Sequence, residues 1–245
     1  MSFNTGIKGL EDLVEVPDDY ILMAGGPPGT GKSAIAIDYL FEGIENGEKG
    51  LYLTLTESRE DIRESVELRG HDPESEDFKI QEATDLMRAG SGGQVFEPEK
   101  VIDGLRRNLN QFEPDRIVFD TITKYLMIFD AEPVMREHAN SLVSRLKEKD
   151  AAGLFIAEVP FSKSGQPSRY EIAEFVVDGL FRLQQIENKN IFEVLKMKGL
   201  GYDREQHVLE ITDEEVRLTE NFKSSDGFNE GSAQNGTETD ETELG

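Results

Sequence analysis

The chain has 245 residues, of which 37% are hydrophobic, enough to bury one core in a single domain. It lacks cysteine, which excludes disulfides and thiolate metal sites, and it lacks an apolar stretch of the ~18 residues that a membrane span needs. Asp+Glu 50 against Lys+Arg 26 leaves a formal charge of −24, which disfavours nucleic-acid binding, since that draws on clustered Lys and Arg to release counterions. The N-terminus shows no signal-peptide pattern, so the expected location is cytoplasmic. Self-repulsion of this size is costly in dilute buffer and screened in strong salt, as in the cytoplasm of a halophile.

In chain order, the apolar run at residues 20–24 reads as a buried strand, and residues 34–40 open an amphipathic helix. Between them, Gly26-Pro27-Pro28-Gly29-Thr30-Gly31-Lys32-Ser33 fits the phosphate-loop template G-x-x-x-x-G-K-[ST] at every fixed position. Strand, glycine turn and helix start are what a nucleotide triphosphate needs. Backbone N–H groups close on the phosphates, the helix end carries partial positive charge, and Lys32 adds a full one.

Residues 50–56 read as a second strand. Ser58 with Asp61 caps a helix bearing Ile62, Val66 and Leu68 at helical spacing. A weaker strand at 78–81 precedes a flexible glycine-rich loop at 89–93, and Pro98 starts a helix through Leu109. A strand at 116–120, a helix-like segment to about Lys149 and a strand at 153–158 follow. This alternation implies a parallel sheet covered on both faces. Strands at 176–185, 191–198, 207–211 and 216–219 are separated by turn-sized gaps, so the last third should be antiparallel and extend one sheet edge. From about Asn221 the composition predicts a disordered acidic tail, leaving 1–220 as the folded domain. His71, His138 and His207 are scattered and read as surface or loop residues.

In phosphate-loop enzymes the loop hydroxyl and a strand-ending carboxylate hold Mg²⁺. Ser33 supplies the first and Asp120, closing residues 116–120, the second. Glu57 lies on the same sheet edge; by itself it can be a water-positioning group or a capping acid.

Further blocks resemble the KaiC-like branch of the RecA superfamily of ATPases. They are Thr5-Gly6-Ile7-Lys8-Gly9-Leu10, with Glu11 where Asp is usual; Leu55-Thr56-Glu57-Ser58; Asp120-Thr121-Ile122-Thr123; Ser168-Arg169-Tyr170 with 174–179; and residues 192–199. The resemblance runs from residue 5 to about 220 and implies a RecA-like α/β fold, ATP with Mg²⁺, and head-to-tail homo-oligomers, a hexameric ring among them. It makes Glu57 the glutamate orienting the attacking water. It makes Lys196 and Lys198 a cationic finger toward the neighbouring subunit's nucleotide. Thr56 replaces the first of the family's paired acids, and Lys198 a commoner arginine whose planar fork suits phosphate oxygens. Glu174 and Phe175 stand where the clock member phosphorylates itself, and neither accepts phosphate. The leading expectation is a regulatory or signalling ATPase with an unidentified protein partner. The alternatives are an interaction protein with vestigial hydrolysis, or a recombinase-like DNA-associated ATPase, against which the charge stands.

Overall fold

A computed structural model describes residues 3–82, 98–158 and 171–223, with backbone alone at 171–173. The chain begins with a short strand β1 (Ile7–Lys8), a 3₁₀ turn (Leu10–Asp12), strand β2 (Ile21–Gly26) and helix α1 (Lys32–Glu45). Next come β3 (Gly50–Thr54), α2 (Arg59–Leu68), β4 (Phe78–Glu82), α3 (Pro98–Gln111) and β5 (Arg116–Asp120). Then follow α4 (Ile122–Leu126), α5 (Glu132–Lys147), β6 (Ala152–Glu158) and α6 (Glu171–Val176). Four strands close the order: β7 (Gly179–Ile186), β8 (Lys189–Met197), β9 (His207–Ile211) and β10 (Val216–Asn221).

The ten strands among the described residues form one sheet in the order β1-β10-β9-β8-β7-β2-β6-β5-β3-β4. From β7 through β4 every pairing is parallel, and from β7 to β10 every pairing is antiparallel. β1 adds a parallel edge on β10. The short apolar strands are buried because helices cover both faces, and side chains alternate between two layers. Leu22, Ala24, Tyr52, Val118, Leu154 and Ile156 pack with α1 and α2. Ile21, Met23, Leu51, Leu53, Ile117, Phe119 and Phe155 pack with α3, α4 and α5 on the other side. The parallel sheet with an antiparallel C-terminal extension is thus as the sequence led us to expect.

Several details differ. Val176 closes helix α6 and the strand starts at Gly179. The apolar run Phe175-Val176-Val177 suits either state, and Phe175 ends up exposed with the Arg136 guanidinium 5.3 Å above its ring. The helical segment to Lys149 is two helices, α4 and α5. Ser58 and Asp61 do form a capping box on α2, with Ile62 and Val66 buried, but Leu68 is exposed. His207 is buried in β9, opposite Phe192 and Asn221, and is not a surface residue. His71 lies in the loop after α2, as expected, and stacks on Phe41, whereas His138 lies inside α5 and stacks on Phe129; both are half-buried. β10 runs through Asn221, where the tail was expected to begin. The loop at 89–93, the block at 168–170 and the tail from 224 lie outside the described residues.

Candidate functional site

Gly26 ends β2, and Lys32 begins the 14-residue α1 with Gly31 at its N-cap. Gly29 and Gly31 have φ of 81° and 94°, a region L side chains rarely occupy, and a Cβ on Gly31 would overlap Ile211 Cδ1. Buried Thr30 donates from Oγ1 to the Pro27 carbonyl at 2.9 Å, and Lys32 Nζ donates to the same oxygen at 2.7 Å. The loop is therefore wrapped around one carbonyl, at the amino end of a helix whose first N–H groups have no intrahelical partner. Burial lowers the Lys32 pKa, and the Glu158 and Asp120 carboxylates oppose that shift.

Parallel strands place their carboxyl ends on one edge. In register, Thr54 of β3 faces Asp120 of β5, Asp120 faces Ile156 of β6, and Gly26 of β2 faces Glu158. Asp120 is buried and accepts a 2.6 Å hydrogen bond from Tyr52 Oη on Oδ2. Burial pushes its pKa up; the Tyr52 bond and Lys32 pull it down, and Glu158 raises it. After β3, Thr54 Oγ1 accepts from the Glu57 N–H at 3.0 Å and donates to the Glu57 carbonyl at 3.1 Å. That hydroxyl fixes the turn that presents Glu57, which is exposed at the rim. Partial burial raises the Glu57 pKa, and Asp120, Asp61 and Glu158 add to the rise.

These groups converge. Pro28, Gly29, Gly31, Lys32, Ser33, Glu57, Asp120, Thr121, Glu158 and Ile211 line one cavity of about 420 Å³. Among the described residues no three His, Asp or Glu side chains form a metal cage. A cation here would take Asp120 and the Ser33 hydroxyl, with phosphate and water filling the remainder. That set suits Mg²⁺, which is commonly held by one or two carboxylates plus substrate phosphates.

Glu158 was not among the expected site residues. Its signal was the one that marked Asp120, an apolar strand ending in a carboxylate, and Thr123 Oγ1 holds it by accepting from its N–H at 2.9 Å. Ile211 and Tyr52 were also missed, since only tertiary pairing brings them to the site.

Lys196 and Lys198 do not line this cavity. Gly179 pairs with Leu22 at the start of β2 and with Met197 at the end of β8, so both lysines sit at the edge where the parallel strands begin. That edge is roughly 13 Å from Gly26, at ~3.3 Å per residue. Lys196 is half-buried and donates to the carbonyls of Glu174 at 2.8 Å and Val177 at 2.7 Å. Burial lowers its pKa. Lys198 is exposed, with Nζ 3.7 Å from Asp178 Oδ1.

A family model described as "ATPase: KaiC" matches residues 3–223. The chain belongs to the KaiC ATPase family. A UPF0273 protein of Thermotoga maritima is 27% identical over 235 residues, spanning 86% of this chain and 93% of that protein. The circadian clock oscillator protein KaiC of Synechococcus elongatus is 26% identical over 229 residues, spanning 87% of this chain and 43% of its own length. This chain therefore spans less than half the length of that clock protein. The crystal structure of a KaiC-like protein from Pyrococcus horikoshii superposes with a TM-score of 0.75 at 24% identity, covering 90% of this chain and 99% of that one. The KaiC-like fold is thus shared. No helix among the described residues is long and apolar enough to cross a membrane.

Proposed function

We propose that this KaiC-family chain binds ATP with Mg²⁺ and hydrolyses it in a head-to-tail homo-oligomer that serves a regulatory or signalling role. The observation that carries the reading is the single cavity joining the phosphate loop, Lys32, Ser33, Asp120 and Glu57. Loop N–H groups and Lys32 bind the phosphates, and Ser33 and Asp120 hold the cation. Mg²⁺, when bound, neutralises charge on the terminal phosphate oxygens. Glu57 orients the attacking water and accepts its proton from the rim of the cavity. Lys196 and Lys198 lie at the opposite sheet edge, so they would reach a γ-phosphate only in a neighbouring subunit, Lys196 after releasing the Glu174 and Val177 carbonyls.

A second reading keeps nucleotide binding and drops turnover. Thr56 favours it, standing exposed beside Glu57 where the family resemblance implies an acid. Phosphate release measured against protein concentration, with size-exclusion profiles in parallel, separates the two. Rising specific activity on assembly supports the ATPase, and assembly with ATP but no phosphate release supports the switch. Strong salt should favour assembly, because screening shortens to ~3 Å at 1 M and relieves repulsion between subunits each carrying −24. DNA binding near physiological ionic strength would instead revive the recombinase-like alternative.

A further inference from the structure

Tyr52 is fully buried in the layer beneath α1, yet its hydroxyl does not serve the core. Oη donates to Asp120 Oδ2 at 2.6 Å. The geometry follows from register. Tyr52 lies opposite Val118 in the β3–β5 pairing, so Asp120, two residues beyond Val118, emerges on the same sheet face one step along the diagonal. An aromatic side chain spans that diagonal. A phenylalanine would fill the same space; the hydroxyl adds one donor, and that donor meets the carboxylate at the cavity wall.

We propose that Tyr52 is a positioning residue for the cation side of the nucleotide site: its O–H fixes the Asp120 carboxylate in one orientation through Oδ2 and leaves Oδ1 to Mg²⁺. This rests on Asp120 being the cation-side carboxylate. Strand β3 then governs both carboxylates, Asp120 through Tyr52 and Glu57 through the Thr54 hydroxyl two residues later. Partners that orient a metal-binding carboxylate are worth ~10–100-fold in metal affinity or activity.

The test is calorimetric ATP binding by the full chain, in EDTA and across a Mg²⁺ titration, for the wild type, Tyr52→Phe, Asp120→Asn and the double variant. Tyr52→Phe should bind ATP in EDTA as the wild type does. It should need ~10–100-fold more Mg²⁺ to reach half of the Mg²⁺-linked change. Asp120→Asn should lose that Mg²⁺ response, and the double variant should match Asp120→Asn. A wild-type Mg²⁺ midpoint in Tyr52→Phe, with Asp120→Asn impaired, overturns the positioning role and leaves the reading of Asp120 standing. An intact Mg²⁺ response in Asp120→Asn overturns both. Additive losses in the double variant place the action of Tyr52 elsewhere and overturn the proposal. Should Tyr52→Phe fail to fold, the wild-type chain decides the matter by NMR with tyrosine labelled with ¹³C at Cζ. The Tyr52 resonance should move when Mg²⁺ joins the ATP complex, and no Mg²⁺-dependent movement overturns the proposal.

Discussion

The two ends of β2 carry opposite chemistry on one sheet. Beyond Gly26, a single buried ammonium, Lys32, shares a cavity with the carboxylates of Glu57, Asp120 and Glu158. At the other end, roughly 13 Å along the strands, Lys198 stands 3.7 Å from Asp178, which Lys147 pairs at 2.6 Å, and Lys196 donates to the adjacent Val177 carbonyl. A triphosphate added to the first end would bring more negative charge to a place already dominated by it, so it needs cations beyond Lys32. Mg²⁺ is one source. Under the proposed assembly, the second end of another subunit is the other. On the proposed head-to-tail assembly, a site divided between the two edges of a sheet is complete only when two copies meet.

The most damaging change to that division should be Lys196→Ala with Lys198→Ala. A cation supplied in trans is worth ~10³–10⁵ in rate, so phosphate release should fall on that scale while ATP binding to isolated subunits persists. Mixing this variant with Glu57→Gln subunits should restore part of the activity, because some interfaces then join an intact Glu57 to intact lysines. A rate unaffected by the double substitution, with no gain on mixing, would refute the shared site.

Next in size is Glu57→Gln, expected to slow hydrolysis by ~10²–10⁴-fold and to spare nucleotide binding. The pH profile adds a second reading. Burial and the neighbouring carboxylates raise the pKa of Glu57, and only the ionised form accepts a proton. The wild-type rate should therefore fall as pH drops toward that raised value, which lies above the ordinary glutamate pKa of ~4.3. A carboxylate raised in the folded state opposes folding when ionised, and this cost is relieved as pH falls through the folded pKa. Glu57→Gln should thus be no less stable than the wild type at neutral pH, by thermal melting. Unchanged turnover in this variant would reduce Glu57 to a turn residue.

Lys32→Ala comes third. Hydrogen bonds to charged groups contribute ~1.5–3 kcal/mol, so ATP affinity should drop by about 10–100-fold in calorimetry. Full affinity would show that the phosphates bind elsewhere.

How much of this was readable beforehand depends on how local each feature is. The phosphate loop, Asp120 and the capping box of Ser58 with Asp61 are contiguous patterns tied to strand ends and helix starts, and the structure has them in place. Glu158 was hidden by strand order. Nothing in its own segment tells that β6 sits between β2 and β5, and only that position puts its carboxylate beside Lys32. Tyr52 was hidden by register, since its hydroxyl matters only once β3 lies beside β5. Phe175-Val176-Val177 has no periodicity to choose between helix and strand, and the carbonyl contacts made by Lys196 favour the helix. His207 gave no local sign of burial, which comes from pairing on both sides of β9.

The smallest expected effect separates the two lysines. Lys196 donates to the Glu174 and Val177 carbonyls at the end of the six-residue α6, where a short helix leaves its last C=O groups without internal partners. Lys198 is exposed, and its ammonium stands 3.7 Å from a carboxylate that Lys147 already pairs at 2.6 Å. Replacing Lys196 with Met keeps the aliphatic stem and removes the donor, which should cost about 1 kcal/mol, at the low end for acceptors left partly solvated. In a chain of this size that lowers Tm by roughly 2–4 °C. Lys198→Met should stay within about 0.5 kcal/mol, as expected for an exposed substitution and a weak surface pair. Their effects on assembled activity should be ordered the other way. The exposed, loosely paired ammonium of Lys198 can turn toward a neighbour at little cost to its own subunit, whereas that of Lys196 must first release two carbonyls. Equal losses of Tm in both variants would contradict the structural role given to Lys196, and a larger loss of assembled activity for Lys196→Met would make Lys196 the reaching cation.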